Sequence, residues 1–255
     1  MSPSIEAGCW GLLAAAGLLV GALFAFFIEL PHRVVAAVMG FGGGVLIALL
    51  SVDLMEKAFE EGGAGPTIGG FLIGALVFCV INWLLAKRGA QHRKRCGGCV
   101  QQPTEAKAKG SGLAIAVGAL LDGVPESIVI GLSLVGGEKI GMGLVAGFFL
   151  ANVPQGLSSA SGMKEAGRSA AYIFGVWGGI ALISGASAAL GYFAFGGLAP
   201  GLVAGTLAFA AGGVLAMLAE TMVPEAFQDA QPFIGLITVV GFLTAFLLIK
   251  ADASM

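Results

Sequence analysis

Apolar runs of about 20 residues recur along most of this sequence, and each is long enough to cross a bilayer as an α-helix. The strands of a membrane β-barrel would be about ten residues long and would alternate apolar and polar side chains, which these runs do not. The runs predict eight membrane spans, near residues 8–29, 34–56, 66–86, 112–135, 140–163, 171–194, 202–222 and 233–250.

Composition supports an all-α polytopic membrane protein with one domain. Of the 255 residues, 57% are hydrophobic and 11% are charged, whereas a soluble domain averages about 25% charged residues. Little chain remains outside the spans, so residues 1–255 are expected to form a single transmembrane domain. Residues 1–8 lack the lysine or arginine of a cleavable signal peptide, and the first run is therefore expected to be a retained span.

The distribution of lysine and arginine predicts the orientation. If the N-terminus lies outside, the inner loops hold ten of the 13 basic residues and the outer segments hold three. Basic residues are enriched in cytoplasmic loops, and seven of the ten lie in the 87–111 loop. The sequence therefore predicts a multi-pass protein of the cell membrane, with both termini outside and the 87–111 loop in the cytoplasm.

Two pairs of spans share short sequence patterns. Residues 43–46 and 212–215 both read Gly-Gly-Val-Leu, and each is followed ten residues later by a glutamate. Residues 121–127 of span four also align with residues 150–156 of span five. Both pairs join spans that should run in opposite directions, which is the pattern of an inverted repeat about an axis in the membrane plane. Chance similarity within apolar sequence is the alternative.

Spans four and five each combine a proline with polar side chains, which are expensive at membrane depth and usually mark a substrate or ion path. Asp122 and Glu126 lie four residues apart and share one helix face, as Asn152 and Gln155 nearly do at a spacing of three. The prolines at positions 125 and 154 are expected to interrupt their helices and release a backbone carbonyl. The sequence therefore predicts one site built from two broken helices.

The donor set of this predicted site consists of carboxylate, carboxamide and carbonyl oxygens, which suits a divalent cation. The alternative is that the prolines and polar groups only make a kink and a hydrogen bond between helices. Glu220 of span seven is the better candidate for a ligand from a third helix, and Asp53 of span two is a weaker one. Glu56 is expected in an outer funnel and Glu225 at the cytoplasmic exit.

These residues resemble the ZIP (Zrt-, Irt-like protein) family of divalent metal transporters. Its span-four signature, His-Asn-x-Pro-Glu-Gly, corresponds to residues 122–127, with Asp122 in place of the histidine, Gly123 in place of the asparagine and Glu126 matching the glutamate. Span five has a related x-x-x-Pro-Glu-Gly pattern, in which Gln155 replaces the glutamate. The resemblance implies a 3+2+3 inverted repeat of eight spans and one metal site formed by Asp122, Glu126, Asn152 and Gln155.

The resemblance also implies secondary transport of zinc, manganese or iron toward the cytoplasm, with no cofactor beyond the transported metal. Replacement of the histidine by a carboxylate is expected to weaken the preference for zinc, because an all-oxygen site suits harder ions. A non-transporting, metal-binding or regulatory relative is the main alternative. An intramembrane hydrolase is disfavoured, because neither histidine lies near the carboxylates, and no phosphate-binding loop indicates an ATP-driven pump.

The remaining polar features fit structural roles. The 87–111 loop contains His92, Cys96 and Cys99, too few ligands for a closed zinc site, and is best explained as a basic segment that sets topology. Cys9 and Cys79 are expected to be packing residues. The expected partners are divalent metal ions and the lipid bilayer, with no nucleic acid, and small-residue helix faces suggest a homodimer.

Overall fold

The computed structural model describes residues 2–87, 111–135, 140–228, 232–252 and 254. All regular secondary structure within these ranges is helical. The helices are α1 (Pro3–Phe27), α2 (His32–Ala48), α3 (Met55–Gly62), α4 (Ala64–Leu85), α5 (Ser111–Leu132), α6 (Met142–Glu165), α7 (Ala170–Phe195), α8 (Pro200–Met217), α9 (Val223–Gln228) and α10 (Ile234–Asp252).

Two of these helices continue into the next one through a π-helical turn. The turn Leu49–Leu54 joins α2 to α3, and the turn Leu218–Met222 joins α8 to α9. The first glycines of the two Gly-Gly-Val-Leu segments are Gly43 and Gly212. Each π-helical turn begins six residues after that glycine. The two segments that look alike in sequence therefore also share an irregularity of the backbone.

Six helical segments are long and apolar enough to cross a membrane, judged on the described part of the chain. They are Pro3–Phe27, His32–Gly62, Ala64–Leu85, Ala170–Phe195, Pro200–Phe227 and Ile234–Asp252. This confirms an all-α polytopic membrane protein. The segments α5 and α6 do not meet the criterion, and they are the two that carry the polar sequence of spans four and five.

Some helix boundaries lie away from the ends of the apolar runs. The second span was expected to end at residue 56, but the helix continues to Gly62 and ends at Gly63, whose φ of 69° requires a residue without a side chain. The last two turns of this helix are rich in charged residues, so the apolar run ends before the helix ends. The helix α6 ends in the same way before Gly167, which has a φ of 75°.

The bundle has central and outer helices. The helix α6 is central: most of its side chains are buried, and it packs most extensively against α1 and also contacts α2 and α10. The helix α5 packs mainly against α7 and contacts α6 over only a short stretch. The outer helices α4 and α10 expose most of their apolar side chains and pack against α8 and α2, respectively.

The helices α1 and α6 run in the same direction and touch closely. Gly17 of α1 lies beside Asn152 of α6, and one turn later Gly21 lies beside Gly156. A methyl group at Gly156 would overlap the backbone carbonyl of Leu18. Only glycine therefore fits at position 156 without moving a helix.

The bundle has two distinguishable ends. At one end, Asp53 and Gly141 line the same cavity, and a Cβ atom at Gly141 would lie 3.0 Å from a carboxylate oxygen of Asp252. At the other end, Lys164 Nζ donates a hydrogen bond of 2.9 Å to the carbonyl oxygen of Phe26. We call these the Asp53 end and the Lys164 end. Residue 252 lies at the Asp53 end because Asp252 is close to Gly141. Residue 2 lies there as well, because α1 runs parallel to α6 and therefore begins at the same end.

Candidate metal centre

The helix α5 carries two deeply buried carboxylates. Asp122 and Glu126 are each only 2% exposed. They lie one turn apart on the same face of the helix, on either side of Pro125. The hydroxyl of Ser127 donates a hydrogen bond of 2.9 Å to the carbonyl oxygen of Gly123, which stabilises the turn around the proline.

The expectation of broken helices was wrong. Pro125 lies inside the continuous helix α5, and Pro154 lies inside the continuous helix α6. A proline removes one backbone donor and crowds one turn, and the packing around a helix can hold it together across such a site. The helix α2 makes room for the second proline, since a Cβ atom at Gly42 would lie 2.6 Å from Pro154 Cγ.

The two amide side chains of α6 are buried, but they have different surroundings. Asn152 and Gln155 are each 4% exposed. The Asn152 side-chain amide donates a hydrogen bond of 3.1 Å to the carbonyl oxygen of Ala14 on α1. Its NH₂ group is thus directed at α1, and only its carbonyl oxygen has the chemistry to bind a cation.

The carboxylates of α5 and the amides of α6 lie at similar depths. The helices are antiparallel, and Ser133, the residue that follows the end of α5, lines the same cavity as Leu144 of α6. With a rise of about 1.5 Å per residue in both helices, Glu126 comes level with about residue 151 and Asp122 with about residue 155. The structure therefore brings Asp122, Glu126, Asn152 and Gln155 to one layer of the bundle.

A carboxylate from a third helix reaches α6 just below this layer. Glu225 of α9 is 7% exposed, and its carboxylate accepts a hydrogen bond from the hydroxyl of Ser158. Ser158 follows Gln155 by three residues, so the two side chains lie nearly above one another on α6. Sequence reasoning did not single out Ser158. The sequence signal that could have found it is its position three residues after Gln155, on the same side of the helix.

The structure directs Glu220 away from the buried side chains of this layer. Its side chain is exposed on the π-helical turn Leu218–Met222 and accepts a hydrogen bond of 2.5 Å from the Asn82 side-chain amide of α4. The thiol of Cys79, also on α4, hydrogen-bonds the same carboxylate. Cys79 therefore has a polar partner in addition to the packing role expected from the sequence.

Asp53 lines a separate cavity of about 160 Å³ at the Asp53 end, shared with Lys57, Ser133 and Gly141. Ser133 follows Glu126 by seven residues, which places it on the same face of α5 as both buried carboxylates. The rise between Glu126 and Ser133 is about 10 Å. The cavity therefore lies directly above the buried layer, and Glu56 is exposed at the same end of the bundle.

A second cavity, of about 380 Å³, opens at the Lys164 end. Its polar lining includes Glu29, His32, Ser161 and Glu165. Ser161 follows Ser158 by three residues and so continues the polar side chains of α6 toward this cavity. Polar groups thus extend from the cavity at one end, through the buried layer, to the cavity at the other end.

A metal ion at this centre would need oxygen ligands other than those of carboxylates. Within the described residues, no group of three or more His, Cys, Asp or Glu side chains is placed to hold a metal ion. A cation held by Asp122 and Glu126 would thus complete its coordination with amide, hydroxyl, carbonyl or water oxygens. Such sets are typical of hard divalent cations. The loop residues His92, Cys96 and Cys99 lie outside the described residues.

Comparison with known proteins finds relatives that are named as zinc transporters. No family model matches it. It is 25% identical over 224 residues to a candidate zinc transporter of Arabidopsis thaliana, a match covering 87% of this chain and 34% of that protein. It is 27% identical over 227 residues to zinc transporter ZupT of Salmonella newport, covering 84% of each chain. The corresponding match to ZupT of Escherichia fergusonii is 26% over 225 residues.

The apolar helices around a buried polar layer define a multi-pass helical membrane protein. These relatives confirm the resemblance to the ZIP family that the sequence motifs indicate, at 25–27% identity. The chain spans about a third of the length of the Arabidopsis protein and most of the length of the ZupT proteins.

Proposed function

We propose that this protein is a secondary transporter that moves divalent metal cations toward the cytoplasm through a site between α5 and α6. The observation that carries the proposal is the burial of Asp122 and Glu126 at the level of two buried amides. Two neighbouring carboxylates repel each other in a medium of low dielectric constant. A divalent cation between them offsets both charges and so explains why they are kept there.

The continuity of polar groups supports transport rather than static binding. Above the carboxylates lies the cavity lined by Asp53 and Ser133, and below them lie Ser158, Glu225 and the cavity at the Lys164 end. In this proposal a cation enters past Asp53, binds between α5 and α6, and leaves past Glu225. Glu225 then lies on the exit side, as the sequence predicts, whereas Glu220, the candidate third-helix ligand, is exposed and bonded to α4.

Paired features of the fold support the eight-span, 3+2+3 inverted repeat. The π-helical turns occur at the same offset from the repeated Gly-Gly-Val-Leu segments. Packing is paired as such a repeat requires: α1 packs with α6 and α7 with α5, while α2 packs with α10 and α8 with α4. In this arrangement α5 and α6 form the central two spans, enclosed by the outer six.

Charge supports an orientation with the Lys164 end in the cytoplasm, because cytoplasmic segments are enriched in basic residues. The basic residues described there are Arg33, Lys87, Lys164 and Arg168. The Asp53 end is richer in acids, with Asp53, Glu56, Glu60, Glu61 and Asp252. Both termini are then outside, and the acidic end attracts cations toward the outer cavity.

Zinc, manganese and iron are the proposed substrates. The oxygen-rich centre suits manganese and ferrous iron, and the relatives are named as zinc transporters. Without a histidine in the buried layer, we expect weaker discrimination in favour of zinc. A non-transporting metal-binding relative is the second candidate, favoured by Gly123, by Gln155 and by the absence of a third His, Cys, Asp or Glu ligand within the described part of the chain.

Uptake into proteoliposomes tests the proposal. The native protein and the variants Asp122→Asn and Glu126→Gln are reconstituted, and initial rates are measured with zinc, manganese and ferrous ions. Because each variant removes one of two charges that hold the cation, we expect saturable native uptake and a loss of about 100-fold in either variant, the effect of about 2.7 kcal/mol. Folded native protein that takes up none of the three metals would contradict transport and favour the second candidate.

Glu220→Gln is the matched control for this assay. It neutralises a carboxylate on a membrane-spanning helix without touching the buried layer, since Glu220 is bonded to Asn82 on α4. We expect uptake close to that of the native protein. A loss of uptake as large as that of Glu126→Gln would indicate that Glu220 contacts the metal during transport.

A further inference from the structure

The cavity at the Asp53 end contains a lysine, which is unexpected on the path of a cation. Lys57 lines this cavity together with Asp53, Ser133 and Gly141. It follows Asp53 by four residues and so lies on the same side of the helix. The cavity volume of about 160 Å³ is that of about five water molecules at roughly 30 Å³ each. A partly hydrated metal ion and an ammonium group would therefore compete for one small space.

Electrostatics links the lysine to the acid. Among the charged groups around Asp53, Lys57 has the largest influence, and it is attractive. Asp252 and Glu56 repel Asp53, and Lys250 attracts it more weakly. Lys57 Nζ also lies 3.9 Å from an oxygen of Glu61, and its side chain is 28% exposed. Lys57 thus lines the cavity together with Asp53 while its ammonium is paired with Glu61, which is not among the lining residues.

We propose that Lys57 is a tethered cation that occupies the outer cavity in place of the metal and sets the metal concentration at which uptake saturates. The inference rests on the proposed function. When no metal is present, the ammonium neutralises Asp53 and keeps the acidic cavity stable. An incoming metal ion displaces it from Asp53, and the existing ion pair with Glu61 holds the displaced ammonium.

This arrangement has a selectivity consequence. A monovalent ion carries the same charge as the ammonium, so it attracts Asp53 no more strongly. It also loses more entropy on binding, because it is not attached to the chain. A divalent ion interacts with the same carboxylate about twice as strongly. The lysine therefore favours divalent over monovalent cations in the outer cavity, at the expense of a higher half-saturating concentration for the metal.

The test is the dependence of zinc and manganese uptake on metal concentration in proteoliposomes. Removing the competing charge in Lys57→Gln should lower the half-saturating concentration about fivefold and leave the maximal rate within about twofold, since a partly exposed charge is screened. Lys57→Arg keeps the charge and should behave like the native protein. Lys57→Met provides the same measurement if the glutamine variant does not fold.

Two further variants separate this role from a structural one. Lys250→Gln removes an exposed lysine at the same end that does not line the cavity and acts on Asp53 more weakly, so it should change the half-saturating concentration by less than about twofold. In an Asp53→Asn background, Lys57→Gln should lose its effect, because the lysine acts by occupying that carboxylate. High ionic strength should also reduce the difference between native protein and Lys57→Gln.

The outcomes distinguish this inference from the proposed function. If the native protein transports metal and Lys57→Gln saturates at the same or a higher concentration, the tethered-cation role is overturned and transport stands. An additive effect of Lys57→Gln and Asp53→Asn overturns it as well. If the folded native protein takes up no metal, both the proposed function and this inference fail.

Discussion

The carboxylates of α5 and the carboxylate of Glu220 both occur in apolar helices, but their surroundings differ. Asp122 and Glu126 are buried at the level of the α6 amides, between two cavities. Glu220 lies on an exposed face, where Asn82 and Cys79 of α4 donate to it. Asn82 and Cys79 donate hydrogen bonds to Glu220 at an exposed position, whereas the α5 pair brings two carboxylates together in the buried interior. An acid within a membrane segment is therefore a better candidate for a metal ligand when it is buried close to a second acid.

Metal affinity should separate the two regions most strongly. Glu126→Gln removes one of two buried charges, so we expect the dissociation constant for manganese to rise about 100-fold, the equivalent of about 2.7 kcal/mol. Glu220→Gln should change it less than about twofold. Calorimetric titration of purified protein in detergent measures both. Equal losses in the two variants would remove the distinction between the regions.

Packing should separate the central and outer helices next. Gly156→Ala in α6 places a methyl group against the backbone of Leu18, and we expect a destabilisation of about 2 kcal/mol. Gly69→Ala in α4 is the matched control, because nothing lies within 4 Å of its Cβ position. Thermal unfolding in detergent compares them. A melting temperature for Gly156→Ala equal to that of Gly69→Ala would argue against the close α1–α6 contact.

Metal preference should change when an imidazole is introduced into the buried layer. Asp122→His restores the residue type of the ZIP signature, and imidazole favours zinc over manganese. We expect the ratio of zinc to manganese uptake to rise about tenfold, the effect of about 1.4 kcal/mol. Uptake from mixtures of the two metals measures the ratio. An unchanged ratio would mean that residue 122 does not contact the metal.

The exit-side carboxylate should matter less than the buried pair. Glu225→Gln removes a charge but keeps an oxygen that can accept the hydrogen bond from Ser158. We therefore expect the maximal uptake rate to fall about fivefold, which corresponds to about 1 kcal/mol in activation free energy. Ser158→Ala is the companion variant, with a smaller loss. Rates at saturating metal give the comparison. If Glu225→Gln matches Glu126→Gln, Glu225 belongs to the binding site itself.

The smallest effect is expected in the α4–α8 region. Asn82→Ala removes the hydrogen bond to Glu220, and such bonds between membrane helices average about 0.6 kcal/mol. We expect a small fall in melting temperature and unchanged metal uptake. A large loss of uptake would show that the Asn82–Glu220 contact is coupled to transport.

Much of the architecture follows from hydropathy. Apolar runs predict the helices well because a backbone without water as a partner must satisfy its own hydrogen bonds. The buried polar layer was also predictable, since Asp122, Glu126, Asn152 and Gln155 interrupt two such runs at helical spacing. The charged extension of the second span to Gly62 was not, because it lacks the apolar signal.

The choice between Glu220 and Glu225 depended on a feature that hydropathy does not encode. A π-helical turn accommodates about one extra residue, which rotates all later side chains by about 100° relative to a regular α-helix. The turn Leu218–Met222 contains Glu220 and precedes Glu225. The sequence favours Glu220 because it lies deeper in the apolar run, and depth alone does not show which side of the helix is buried after such a turn. Likewise, the prolines signalled a break that the surrounding packing prevents.

The central claim is that the metal passes between α5 and α6, and anomalous diffraction from zinc-soaked or manganese-soaked crystals tests it most directly. The account predicts an anomalous peak within about 2.0–2.2 Å of carboxylate oxygens of Asp122 and Glu126 for zinc, and loss of that peak in Glu126→Gln. A peak beside Cys79 and Glu220 with none between α5 and α6 would contradict it.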